Sequence, residues 1–378
     1  MPTRPALRDD CPHGGGRGAP PRGAAAAGRE GTGREPATAG REGTGCEPAT
    51  AGCEGAGCEP ATAGCEGAGC EPATAGRERT GREGARTVPV TVVRAEDAPG
   101  PTLVVRLDHL PPGALALGHE LAELRRALRG SPYARVNKIA VYGSSSRRDV
   151  DLDYRFVQAL PDGRFDFRTG CGHSLLACVV AEGRAGAVTV RAVTTGDTVR
   201  VEEENGDGDA RALYFLRAPT AAGTLPTGRP VDELLGVPVS LVRYGNPYVF
   251  VDARHVEAEE DAEEALLRLR GEAARLLGYA PHSPLPKIAA FRAEPGGLFV
   301  RALTVGGWHP RLALTGAAAL AAAAALDGTV VPGDAGGTVR TPGGVVTVST
   351  GPDRVGVHHK RARVLDRLEL PWRIHATA

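Results

Sequence analysis

Two helical stretches without a polar face restrict what this chain can fold into. One runs from Gly172 to about Glu182 and reads Gly-His-Ser-Leu-Leu-Ala-Cys-Val-Val-Ala-Glu. The other runs Thr315-Gly-Ala-Ala-Ala-Leu-Ala-Ala-Ala-Ala-Ala-Leu326 and is stopped by Asp327-Gly328. A helix with an apolar stripe lies on a surface, but one that is apolar all round has to be covered on every side. Both are far short of the roughly 20 residues that cross a bilayer, so the cover is expected to be protein and no membrane is expected as a partner.

The segments around them supply that cover, and they do so twice. Val88 to Arg94 and Thr102 to Leu107 alternate like strands, and Leu117, Leu121, Leu124 and Leu128 follow at helical spacing up to Gly130. Strand-like Lys138 to Tyr142 and Asp151 to Gln158 lead into the first apolar helix, and Ala187 to Thr194, Thr198 to Glu203 and Ala212 to Leu216 close the set. After the Pro- and Gly-rich stretch from Pro219 to Pro230 the order recurs. Strands near Val239 to Val242 and Tyr244 to Asp252 precede a helix carrying Leu266, Leu269, Ala273 and Leu276. Lys287 to Phe291 and Leu298 to Thr304 then lead to the second apolar helix, with strands at Val345 to Ser349 and Val355 to Leu365 to finish. The pattern predicts an α+β protein of two pseudo-symmetric lobes, residues 88–222 and 223–378. Each is a curved, mostly antiparallel sheet wrapped around a central apolar helix, and the C-terminal strand is free to return to the first lobe.

Residues 1–87 belong to neither lobe. Glu-Pro-Ala-Thr-Ala-Gly recurs at 35, 47, 59 and 71, a period of 12, among Gly, Arg, Glu and Cys with almost no large apolar residue. No unit has a face to bury against its neighbour, so the tract is expected to be disordered. Six of the eight cysteines lie in it, without the paired two-residue gaps of zinc knuckles. The two in the lobes, Cys171 and Cys178, fit a reduced, cytoplasmic protein. The 45 basic and 45 acidic residues cancel and aromatics make up only 4%, so neither a basic face nor a stacking platform for nucleic acid is present.

Chemistry concentrates at Thr169-Gly-Cys-Gly-His-Ser174. A thiol and a run of backbone amides stand there at the mouth of an enclosed helix, where unpaired N–H groups and the positive end of the helix dipole attract carboxylates. Cys178 lies seven residues on, roughly 10 Å along the same helix, too far to act as a second thiol at that mouth.

Asn137-Lys-Ile-Ala-Val-Tyr-Gly-Ser-Ser-Ser146 and Asp149-Val-Asp-Leu-Asp-Tyr-Arg-Phe-Val-Gln158 resemble the corresponding block of the PrpF family, whose best known members are 2-methylaconitate isomerases. Cys171-Gly172, Gly245-Asn-Pro-Tyr-Val-Phe-Val-Asp252, Pro286-Lys-Ile-Ala289, His309 and Thr315-Gly-Ala317 fall in the family's order, and the likeness covers about residues 88 to 378. The resemblance implies a diaminopimelate epimerase-like fold and an isomerase that moves a proton on an unsaturated polycarboxylate without metal or organic cofactor. The family's acid/base residues match Lys138 and Cys171. Family members carry a glycine-rich element where this chain has Val93-Arg-Ala-Glu-Asp-Ala-Pro-Gly-Pro101, which keeps Arg94 and adds Glu96 and Asp97 where a polyanion would sit. The glycine-rich stretch before the lysine is shortened to Tyr133-Ala-Arg-Val136, and His173 stands where the isomerases have Asn. These departures point away from methylaconitate itself and toward another small acid. The rival readings are an acid-binding protein that has lost turnover, and a tailoring isomerase acting on a larger metabolite.

Proton abstraction beside a conjugated carboxylate needs a base poised near neutrality and donors for the charge that moves onto oxygen. Lys138 is the expected base, and Cys171 either returns the proton or simply holds the substrate; the bland alternative pairs Lys138 with Asp151 or Asp153. The expected substrate-binding set is Arg94, Ser145, Gly172, His173, Ser174, Asn246, Lys287, Gly307, His309, Thr315 and Gly316. His173 has helix capping as its alternative role, Ser144 to Ser146 have turn formation, His309 has the role of a satisfied core histidine, Asn246 has the shaping of a turn beside the cleft, and Lys287 has pairing with a surface acid. His358-His359-Lys360 is expected to face solvent. The expected partner is a small-molecule carboxylate, and a homodimer stays open.

Overall fold

The computed structural model describes residues 87–108, 114–204, 208–256, 261–280, 283–304, 307–333 and 337–371. The repeat tract therefore lies outside the described residues, except for Thr87, and so does Gly306.

One order of elements occurs twice. The first lobe contains β1 (Val88–Ala95), β2 (Thr102–Arg106), α1 (Ala114–Ala127), β3 (Lys138–Ser144), β4 (Leu152–Ala159), β5 (Phe165–Asp166), α2 (Gly172–Glu182), β6 (Val188–Ala192), β7 (Asp197–Glu203) and β8 (Arg211–Phe215). A short β9 (Asp232–Leu234) leads into β10 (Val237–Tyr244), β11 (Asn246–Asp252), α3 (Ala262–Leu276), β12 (Lys287–Glu294), β13 (Gly297–Thr304), β14 (Gly307–Trp308), α4 (Leu314–Ala324), β15 (Thr338–Thr341), β16 (Gly344–Thr350) and β17 (Val355–Lys360). The chain ends in β18 (Ala362–Leu370).

Pairing follows the repeat. In the first lobe β1 is antiparallel to β2, β2 parallel to β3, β3 antiparallel to β4 and β4 parallel to β6. In the second lobe β10, β11, β12, β13 and β15 make the same succession. The parallel pairs are the two strands that flank each helix, as a helical crossover requires. The last strands leave the second lobe: β17 pairs with both β16 and β8, and β18 lies along β1. This joins the two sheets edge to edge, and a diaminopimelate epimerase-like fold results.

Strand alternation decides which face each side chain serves. On β3, Ile139 and Val141 pack with Leu117, Leu121 and Leu124 of α1, while Ala140 and Tyr142 join the cluster around α2. On β12, Ile288 and Ala290 pack under α3, while Ala289 and Phe291 join that same central cluster, which also holds α4. Each sheet thus carries an amphipathic helix outside and an enclosed helix inside. The inner register of β3 and β12 begins one step earlier, at Lys138 and Lys287.

Two expectations need correction. The single strand predicted from Val355 to Leu365 is broken: His359 adopts φ 55° and the pairing of β17 with β8 slips between Val357 and Lys360. Leu276, predicted to lie on the buried face of α3, is 47% exposed at the helix end.

Candidate functional site

Helices α2 and α4, each of 11 residues, begin at the wall of one cleft of about 400 Å3, within the range of about 300–1,000 Å3 usual for small-ligand pockets. Surface helix α3 begins in the ordinary way, with the Asp261 carboxylate accepting from the amides of Glu263 and Glu264. The central helices do not. Cys171 precedes α2 and Ala313 precedes α4, and neither side chain caps the helix it introduces. Their first amides are left for whatever occupies the cleft.

Among the described residues, the lining contains no Asp, Glu or Arg. Its charged side chains are Lys138, which is buried, and Lys287, which is partly buried. The predicted alternative partners of Lys138 are taken: Asp151 holds Arg184 and accepts from the Thr189 amide, and Asp153 makes a two-pronged pair with Arg191. Burial lowers the Lys287 pKa, the charges of Arg270 and Lys138 lower it further, and Cys171 and Asp166 act in the opposite sense.

Two buried polar atoms of the lining have no protein partner among the described residues, Thr169 Oγ1 and His173 Nε2. Burial holds the His173 pKa well below the ordinary value, helped by the positive charges of Lys138 and Lys360. His309, whose Nδ1 lies 2.7 Å from the Arg311 carbonyl oxygen, has its pKa lowered to about 4, again chiefly by burial. Both imidazoles are therefore neutral near pH 7.

The cleft brings together Lys138, Cys171, Gly172, His173, Asn246, Lys287, His309 and Thr315. The rest of the expected set stands elsewhere. Arg94 does not line the cleft; it lies on β1 opposite Arg363 of β18. Ser145 forms a turn by accepting from the Arg147 amide. Ser174 is fully buried, its hydroxyl 3.0 Å from that of Thr102. Gly307 pairs with the lining residue Thr304 but does not itself line the cleft. Gly316 packs so closely on Tyr248 that a Cβ there would sit 2.6 Å from the phenol oxygen. Gly172 combines both roles, lining the cleft while admitting Leu314 of α4 at 2.5 Å from where its Cβ would be.

Asn246 lines the cleft with an amide already engaged. Its Oδ1 accepts from the Gly170 amide at 2.7 Å and its Nδ2 donates to the Gly170 carbonyl at 2.8 Å, clamping the entry to α2 onto the second lobe. The expected acidic intrusion from the β1–β2 turn is also corrected. Glu96 is exposed, and Asp97 is buried between Lys360 at 2.6 Å and Arg311 at 2.7 Å. That pairing also overturns the solvent-facing reading of His358-His359-Lys360. Lys360 is buried on Asp97 and His358 is held between Ser349 and Glu204. Thr169, in the stretch where the sequence concentrates its chemistry, lines the cleft, and so does Gln158, which sequence reasoning missed and which only the register of β3 and β4 sets directly across from Lys138.

No family model matches the chain. Over 238 residues it is 32% identical to YbhH of Escherichia coli K12, a protein named for an inferred isomerase activity, and the match takes in 51% of this chain and 68% of that one. The chain belongs to the PrpF family of isomerases. Another relative, 4-oxalomesaconate tautomerase of Pseudomonas putida KT2440, is 28% identical over 262 residues, covering 55% of this chain and 73% of its own length. The crystal structure of a methylitaconate-delta-isomerase superposes with a TM-score of 0.55 at 22% identity, over 75% of this chain and 95% of that one. The two share a fold. No helix among the described residues is long and apolar enough to cross a membrane.

Proposed function

We propose that this chain is a cofactor-independent isomerase that shifts a double bond in a small unsaturated di- or tricarboxylic acid by moving one proton. The observation that carries the reading is the meeting of Lys138 and Cys171 in a cleft that offers two uncapped helix ends and, among the described residues, no acidic lining residue. The names of the relatives, a tautomerase of oxalomesaconate and an isomerase of methylitaconate, support the substrate class.

In this reading the Lys138 amine takes a proton from the allylic carbon: a C–H bond breaks and an N–H bond forms. The electron pair spreads through the double bond onto the carboxylate oxygens as a dienolate. Backbone amides at the start of α2 stabilise that charge, being fixed in place before the reaction. The Cys171 thiol then gives its proton to the far carbon of the allyl unit, so S–H breaks and C–H forms. Proton transfer from the Lys138 ammonium to the thiolate restores the site. The neutral His173 and the orphan Thr169 hydroxyl serve as hydrogen-bonding groups for the carboxylate, and a thiol used this way suits a reducing compartment such as the cytoplasm.

The test is wash-in of solvent deuterium at the allylic carbon of itaconate, mesaconate and citraconate, followed by proton NMR. Lys138→Met is expected to reduce exchange by about 10²–10⁴-fold, the usual contribution of a positioned general base. Wild-type protein that binds these acids but incorporates no deuterium would refute the isomerase reading and leave an acid-binding protein.

A further inference from the structure

The second-lobe wall of the cleft is also the wall of another cavity. A hollow of about 20 Å3, room for about one water, lies beneath the start of α3 on the outer face of the second sheet. Ala262 and Leu266 of α3, Ala290 of β12, and Phe299 and Arg301 of β13 line it. Trp308 lines it as well, and of the residues that line this hollow Trp308 alone also lines the cleft. The indole therefore stands between the two spaces.

Strand register puts it there. On β13, Val300 and Ala302 pack with α4 in the central cluster, so Phe299, Arg301 and Leu303 turn to the α3 side. Trp308 of β14 is directly opposite Leu303 and shares its face, diagonal to Arg301. The Arg301 guanidinium carbon lies 3.8 Å from the centre of the indole ring, a stacked cation contact. A strand of two residues is a slight restraint by itself, and the stack adds a face-on hold that fixes the plane of the ring.

We propose that Trp308, held by Arg301, sets the size limit of the cleft: it keeps the hollow beneath α3 closed, and so admits acids with a short branch and excludes homologues with a longer alkyl branch. This deepens the isomerase reading and rests on it for the acid bound. With the reacting carbons held by Lys138 and Cys171 of the first lobe, the rest of the acid faces the second, where Trp308 stands. One methylene in a fitted pocket is worth about ten- to two-hundredfold in discrimination, so a wall one ring thick decides between homologues. The same wall opposes the rival reading of a tailoring isomerase, whose larger metabolite needs the space that the ring fills.

The probes are citraconate and mesaconate, each compared with the homologues that carry ethyl, propyl or butyl in place of methyl. Binding is read by calorimetry and turnover by deuterium wash-in. Wild-type protein is expected to bind the butyl homologue of at least one acid about ten- to two-hundredfold more weakly than the methyl parent. In Trp308→Ala that ratio falls to within about threefold of unity or inverts, and Trp308→Phe lies between. Arg301→Met leaves the indole in place but unpinned, and moves the ratio the same way by a smaller factor, about two- to tenfold. The chain has two tryptophans, so Trp372→Phe leaves Trp308 as the only one, and its emission is expected to change when the methyl acid binds.

A wild type that binds the butyl homologues as tightly as their parents overturns the proposal, and so does a Trp308→Ala variant that keeps the wild-type ratio. Should Trp308→Ala fail to fold, Arg301→Met decides, and an unchanged ratio there is equally fatal. So is a Trp308 emission that bound acid leaves unmoved. A size limit that follows Trp308 in binding, without any deuterium exchange, sinks the isomerase reading alone. Exchange with no size limit sinks the Trp308 assignment alone, and a wild type that binds none of these acids sinks both.

Discussion

The two lobes enclose helices of equal length in sheets of matching connectivity, yet they meet the cleft with different chemistry. At the mouth of α2 stand Cys171, the orphan hydroxyl of Thr169 and the buried His173; at the mouth of α4 stand Ala313 and Thr315, with Trp308 and His309 just before them. Each lobe retains a lysine at the start of its inner strand. In the proposed reading, the difference teaches that anion binding and proton transfer separate within a duplicated fold. Strand register and an uncapped helix follow from the backbone and so are copied with it, whereas reactivity depends on a single side chain that either copy can lose.

The largest effect comes from moving that side chain. In a Cys171→Ala background, exchange is expected to fall by about 10²–10⁴-fold, and adding Ala313→Cys is expected not to restore it. The new thiol would stand at the mouth of α4, across the cleft from the carbon that Cys171 serves in the proposed reaction. Deuterium incorporation by NMR decides the matter, and recovery above about a tenth of wild-type exchange would show that the lobes are chemically interchangeable.

Next in size is the ion cluster that ties the lobes together. Asp97, on the β1–β2 turn, is held by Lys360 from the end of β17 and by Arg311 from the loop that leads into α4. Removing one partner of a buried pair leaves the other charge uncompensated, so Asp97→Ala is expected to cost about 3–5 kcal/mol in urea unfolding. Because Pro99 and Gly100 of that turn line the cleft, KM is expected to rise in the same variant. Unchanged stability would mean that the lobes are held by their shared sheet alone.

The fold was more legible in the sequence than the site, and the reason is the range of the interactions involved. A helix apolar all round announces that it is enclosed, because periodicity is local, and α2 and α4 are where that signal lies. The Lys-Ile-Ala repeat was equally visible, though its meaning waited for the register that turns both lysines inward. Asp97 was misread because its partner Lys360 is 263 positions away, and nothing near either residue marks the pairing. The clamp that Asn246 makes was hidden for the same reason: it lines the cleft as expected, but the Gly170 backbone that engages its amide belongs to the other lobe. Arg94 and Ser145 carried the right chemistry, but strand pairing and a turn used them elsewhere.

The smallest effect distinguishes the two histidines by pH. His309, on the second lobe, is buried at 5% exposure, and its folded pKa of about 4 lies below the ordinary histidine value near 6.5. The unfolded chain therefore takes up a proton as the pH falls through about 6.5, while the folded ring resists it until about pH 4. Stability is full above that window and is lost as the pH drops through it, by about 2 kcal/mol between pH 7 and pH 5 for this one ring. His309→Gln removes that share, so urea midpoints of the variant should decline less steeply over the same interval. His173, buried at 3% within α2, continues to impose its own loss in the variant, and a variant with the wild-type slope would locate the acid sensitivity in the first lobe instead of the second.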